Sequence, residues 1–167
     1  MRVRAAVAGD LAAIDALLAA SYPVLLKDDY PPSVLVTALP IISRAQPRLV
    51  ASGRYFVAMD DAGAVRGAGG WSAGQNGMAH VRHVVTDHRR QRQGIGRAIL
   101  VRVIAEARVA GAARLSCLST RNAVPFYMAM GFTPLGPRDV TLRPGIVFPS
   151  IEMARTFDDA PARPNGT

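Results

Sequence analysis

The sequence predicts a mixed α/β fold, one sheet with helices on both faces, and two features carry that expectation. Residues 54–86 read as successive antiparallel strands joined by tight turns, and residues 79–119 read as a strand–helix–strand crossover. The first calls for hairpins and the second for a parallel pair, so a plain doubly wound sheet does not fit.

In chain order, Arg2 to Ala6 alternates like a short strand, and Gly9-Asp10 reads as the N-cap of a helix with Leu11, Ile14, Leu17 and Leu18 on one face. Prolines at 23, 31, 32, 40 and 47 punctuate Ser21 to Val50, which predicts short helices and loops. Arg54–Met59 and Val65–Ser72 flank Asp60-Asp61-Ala62-Gly63 as a hairpin, with both aspartates as turn residues. A turn at Gly74–Gly77 leads into a strand at about 79–86. Ile95, Ile99, Val103 and Ala107 then mark the buried side of a helix that Gly111 ends. Arg114–Ser119 is a buried strand, and a helix from about Ala123 to Met130, capped by Asn122, tolerates Pro125 in its first turn. Phe132–Leu135 and Ile146–Arg155 are closing strands, with a loop between them.

The 167 residues suit one domain over 1–155, with a disordered tail over 156–167 that carries Pro161, Pro164, Asn165 and Gly166. No apolar run reads as a bilayer span, and Asp10 and Asp15 interrupt the apolar N-terminus, so a strand and helix fit better than a signal peptide. The single cysteine, Cys117, excludes an internal disulfide and reads as core; a cytoplasmic location is expected. Three histidines and one cysteine give no metal-ligand spacing, so no metal is expected. Lys27 is the only lysine, so nineteen of the 20 Lys and Arg residues behind the +8 charge are arginines. Such an excess favours anionic partners.

The sharpest local signal is Gln91-Arg92-Gln93-Gly94-Ile95-Gly96-Arg97, between a β-branched strand and an amphipathic helix. Two glycines admit a ligand close to the backbone, and the following helix aims free N–H groups and its dipole into the same space. Arginines 89, 90, 92 and 97 add charge around it, which suits a pyrophosphate. A dinucleotide fingerprint would want glycine where Ile99 stands, and a Walker loop would want Gly-Lys-Ser/Thr.

Three segments together resemble the GNAT family of N-acyltransferases. They are the loop 91–96, the strand His80-Val-Arg-His-Val-Val-Thr86 before it, and Asn122-Ala-Val-Pro-Phe-Tyr-Met-Ala-Met-Gly-Phe132. The resemblance implies the GNAT acyl-CoA N-acyltransferase fold: a mixed, mostly antiparallel sheet of six to seven strands, splayed at the CoA site, with helices on both faces. It implies acetyl-CoA as cofactor and a primary amine as acceptor, by direct attack in a ternary complex. By the same resemblance Val84, Val85 and Thr86 contact the pantetheine arm through backbone. Gln91, Arg92, Gln93, Gly94, Ile95, Gly96 and Arg97 hold the pyrophosphate, Asn122 and Tyr127 also face the cofactor, and Tyr127 protonates the departing thiolate. The base is His80 or His83, or deprotonation runs through water or the substrate; a regular strand would put the two histidines on opposite faces, and a bulge would not. His88 reads as solvated or near phosphate.

Trp71 reads as packing or as a wall of the acceptor pocket, and Asp28, Asp29 and Tyr30 as loop residues or as an attraction for a cationic amine. The acceptor is a small molecule or a peptide or protein amine; nucleic acid enters only as an aminoacyl-tRNA acceptor, and no membrane is expected. Two other classes stay open: a non-catalytic acyl-CoA-binding module on the same fold, and, less favoured, a basic nucleic-acid binder. An exposed apolar edge along 146–155 would suit a homodimer.

Overall fold

In the computed structural model, which describes residues 1–157, seven strands and five α-helices alternate in a single mixed sheet. Chain order runs β1 (Arg2–Ala5), α1 (Leu11–Leu26), α2 (Pro32–Ile42), α3 (Pro47–Ala51), β2 (Tyr55–Met59), β3 (Val65–Ala73), β4 (Met78–Thr86), α4 (Ile95–Val109), β5 (Arg114–Ser119), α5 (Val124–Ala129), β6 (Thr133–Arg143) and β7 (Ile146–Thr156). The spatial order is β1-β2-β3-β4-β5-β7-β6, and only β4 and β5 pair in parallel.

The sheet separates two cores, because alternate residues of a strand face opposite sides. Along β2, Phe56 and Ala58 enter the core under α4 and α5 with Ile99, Leu100, Val103, Leu115 and Met153. Tyr55 and Val57 enter the other core with Ile14, Leu18 and Leu26 of α1, Leu35 of α2 and Phe148 of β7.

Several expectations need correction. Helix α1 does not end before Pro23 but runs on to Leu26, since Ile14, Leu17, Leu18, Ser21, Tyr22 and Leu26 form one continuous buried face. Packing of that face outweighs the backbone bond that proline cannot make. By length and composition the 19 residues Ala8–Leu26 would suffice to cross a bilayer, which the sequence reading missed; in the fold their apolar face meets the sheet. Asp10 makes no cap bond to α1; its carboxylate accepts from Val7 N–H at 2.8 Å and from both Arg4 Nη atoms at 2.8 and 2.9 Å.

Strand β6 runs to Arg143 instead of stopping at Leu135, so the expected loop is a long hairpin. Pro134 and Pro137 disguise it, and they are tolerated because β6 is the sheet edge, where no ladder bond is lost. The 146–155 strand is therefore interior, flanked by β5 and β6, and offers no edge for a dimer. Thr156 belongs to β7, and Phe157 is buried with its N–H on the Ala113 carbonyl at 3.0 Å; the rest of the expected tail, 158–167, lies outside the described residues.

Glycines in β3 let neighbours close in. A Cβ on Gly67 would meet Ile95 at 2.5 Å and Ile99 at 2.9 Å, and one on Gly70 would meet the Arg54 carbonyl oxygen at 2.1 Å and Tyr55 Cα at 2.7 Å. Since backbone cannot yield as a flexible side chain does, Gly70→Ala should cost about 3 kcal/mol or more, read from urea unfolding midpoints.

Candidate active site

The site begins where β4 and β5 part. They pair only at Met78–His80 against Arg114–Ser116 and then diverge. On its other side β4 carries an extra residue: Gly70 pairs with Arg82 and Ala68 with Val85, so two steps on β3 face three on β4. That bulge holds His83 at φ 49°, a left-handed conformation costly for a non-glycine residue. The phenol of Tyr55 donates to the His83 carbonyl at 3.0 Å and pins it there.

The gap opens into a cleft of about 690 Å³, bounded by Val84–Thr86, the 91–97 loop, Asn122–Tyr127 and the end of α1. In the loop Arg92 (φ 62°) and Gly94 (φ 78°) are both left-handed, a conformation that gathers backbone N–H groups on one side. Gly94 is the N-cap of α4 and supplies no side-chain cap, so the first-turn N–H groups keep no intrahelical partner. A Cβ on Gly94 would meet no protein atom within 4 Å, whereas a Cβ on Gly96 would lie 3.2 Å from Thr86 Oγ1 and 3.3 Å from Phe126 Cζ. Asn122, expected to cap α5, does not: its Oδ1 is buried without a hydrogen-bond partner, and it lines the cleft.

The expected ring of arginines is divided. Arg92 and Arg97 line the cleft beside His88, expected to be solvated or near phosphate, and beside Lys27, for which the sequence carried no such expectation. Arg89 instead binds Asp87 through Nε and Nη2, each at 3.1 Å, and Arg66 reaches the same carboxylate at 3.1 Å. Arg90 stands 3.9 Å from Asp60. With Arg89 and Arg66 beside it, the Asp87 carboxyl is held well below the usual carboxylate range although its side chain is only 3% exposed. Gln91 and Ile95 line the cleft; Gln93 is exposed outside its lining.

A second cleft, about 460 Å³, lies on the α1–α2 side of the gap and contains both His80 and His83. The bulge brings together what a regular strand would have separated. Burial first, then the charge of Arg82, lowers the pKa of each histidine, which favours the neutral form of both. His80 Nδ1 shares a hydrogen bond with Ser116 Oγ. Tyr22, Val84, Thr120, Ala123 and Tyr127 line both clefts. Tyr127 is 6% exposed, edge-on to Phe126 and Phe132, and burial pushes its phenol well above the ordinary range.

Residues 27–154 match the family model of the acetyltransferase (GNAT) domain. The chain belongs to the GNAT family. Its fold is shared by a GCN5-related N-acetyltransferase of Rhodopseudomonas palustris, 19% identical with a TM-score of 0.76, the match covering 93% of this chain and 95% of that one. It is shared too by the ribosomal-protein-S18-alanine N-acetyltransferase of Escherichia coli (20% identity, 99% and 98% covered, TM-score 0.67). A third is the phosphinothricin acetyltransferase of Sinorhizobium meliloti, crystallised with AcCoA (22% identity, 97% and 91% covered, TM-score 0.68). No curated protein matches.

Of the remaining side chains, Trp71 and Tyr30 line neither cleft. Trp71 is packing, 4% exposed in the α4-side core with the Arg54 guanidinium 4.5 Å over its ring. Cys117 is buried, its thiol pushed up to about 12 by desolvation. Asp28 and Asp29 line the larger cleft, while Tyr30 is buried and donates to the Pro149 carbonyl at 2.7 Å. Among the described residues no His, Cys, Asp and Glu cluster could hold a metal. Tyr22 and Tyr55 were missed; Tyr22 continues the apolar face of α1 and could have been found from that period, whereas nothing local marks Tyr55.

The Asp87 cluster gives a test. A carboxyl depressed in the fold contributes stability above its unfolded pKa of about 4 and loses it on acidification below that value. Asp87→Asn should therefore cost about 2 kcal/mol at pH 7, with the gap from wild type narrowing below pH 4 in urea titrations.

Proposed function

We propose that the chain is an N-acetyltransferase that passes an acetyl group from acetyl-CoA directly to a primary amine, with both bound at once. The observation that carries this is the meeting of two clefts at Tyr127, one with an anion-binding helix start and the other with two histidines. The unpartnered Asn122 Oδ1 fits a cofactor that brings amide and hydroxyl donors, and the space at Gly94 fits a bulky anion close to backbone. The name of the E. coli protein supports acetyl transfer to nitrogen, and the S. meliloti acetyltransferase, solved with AcCoA, supports the donor.

Acetyl-CoA supplies an acyl group on a thiol leaving group. In this reading the N–H groups of 95–97, with Arg92, Arg97 and Lys27, hold the pyrophosphate, and Gln91 stands at its edge. The β4 backbone at Val84, Val85 and Thr86 offers the unpaired edge left by the divergence from β5. Tyr127, protonated at any working pH, donates its proton to the departing sulfur. An ammonium with a pKa of about 10 must lose a proton before attack. His83 is the better placed base: it stands at the bulge beside Val84, whereas His80 sits in the paired part of β4 and is tied to Ser116. Because Cys117 stays a buried thiol, direct transfer is favoured over an acyl-enzyme. A cytoplasmic location and a single domain, carried on to Phe157 by the end of β7, belong to the same proposal.

Calorimetry should show acetyl-CoA binding, lost by tenfold or more in Gly94→Val, whose side chain would stand in the cleft at a left-handed φ of 78°. No binding by the wild type would sink the reading. Tyr127→Phe should keep that affinity and lower kcat about 10²–10⁴-fold; unchanged turnover would remove the acid role. The acidic limb of kcat/KM should lie below pH 6.5, the ordinary histidine value, since both histidines are lowered from it. His83→Ala should abolish that limb and His80→Ala should leave it.

A further inference from the structure

The charges around the smaller cleft are unevenly committed. Three fully charged side chains line it: Arg82, Arg138 and Glu152. Glu152 is taken by Arg138, whose Nη1 lies 3.1 Å from its Oε2. The carboxylates of Asp28 and Asp29 line the larger cleft instead. What remains is Arg82, exposed on β4 between His80 and His83, with Nε donating to Ser72 Oγ at 2.9 Å. Its two Nη groups have no partner among the described residues.

We propose that Arg82 selects an acceptor that carries a carboxylate beside its amine, an α-amino acid or a close relative. This rests on the N-acetyltransferase reading of the same site. A polycationic amine would meet the unpaired guanidinium and find no uncommitted carboxylate, so like charge disfavours it. A zwitterion brings its own anion. The planar guanidinium, fixed through Nε, offers its two Nη groups for a paired contact with a carboxylate. The neighbouring residue, His83, lines the same cleft, which suits a ligand whose amine and carboxylate are held close together. Ile42, Val140, Leu142 and Phe148 form an apolar lining for the substituent, and about 460 Å³ accommodates one of amino-acid size.

The test is a panel of natural α-amino acids, each beside its own amino-acid amide, with spermidine as the polycation. Binding to the CoA-saturated full chain is followed by calorimetry and by the histidine ring proton resonances, and acetyl transfer by thiol release. At least one acid should bind tenfold or more tighter than its amide, spermidine should not compete, and Arg82→Gln should cut that preference below about threefold while Arg82→Lys keeps part of it. Matching thermal midpoints for the three proteins would show that the fold is intact. Equal or better binding of amides or spermidine, an undiminished preference in Arg82→Gln, or no binding by any acid overturns the proposal. An acid preference without thiol release overturns the transferase reading alone and leaves the carboxylate site standing.

Discussion

The separation of β4 from β5 is the constraint on which the rest of the site depends, and a hydrogen bond at the bulge on the other side of β4 pins the backbone there. The Tyr55 phenol grips the His83 carbonyl at the bulge. Tyr55 can lie there because Gly70 opposite carries no side chain: a Cβ at 70 would come within 2.8 Å of the Tyr55 ring. The extra residue resets the alternation of β4, so that Val81 and Val84 both pack on the α4-side core and Val85 on the other. One displaced residue thus sends backbone into one cleft and an imidazole into the other.

Charge is partitioned as strictly as space. Asp87 engages Arg89 and Arg66, and its N–H-accepting carboxylate caps the short turn at His88–Arg90. The loop that follows is therefore anchored at one end by an ion cluster and at the other by the buried Ile95 and Ile99 of α4. Between these anchors Arg92 and Gly94 set the turn in left-handed conformations, and anchoring at both ends lowers the ordering cost of binding.

How much of this was legible depended on whether the signal was local. The 91–97 loop, α4 and β5 follow from glycine spacing and periodicity, and their bounds agree with the structure to within a few residues. The length of β6 was hidden because proline disfavours a central strand, and Pro134 and Pro137 are harmless only because the strand lies at the edge. Pro23 misled in the same way, since the burial of Tyr22 and Leu26 is a tertiary fact. Asn122 looked like a cap and is instead an orphaned acceptor, a distinction set by its surroundings and not by its neighbours in sequence. The bulge is the clearest case: two histidines three residues apart should face opposite ways, and a register shift against β3 puts them in one cleft.

The near-absence of lysine has a chemical consequence for a protein with such a site. A guanidinium stays protonated and does not attack a thioester, whereas a lysine amine, once deprotonated, does. With Lys27 as the sole lysine, the chain presents almost no side-chain nucleophile of the kind its own acyl donor would modify. Lys27 itself lines the larger cleft, so adventitious acylation of side-chain amines is confined to one position, at the mouth of the site where it would blunt the positive charge there. The basic surface is in that sense inert toward the chemistry it surrounds.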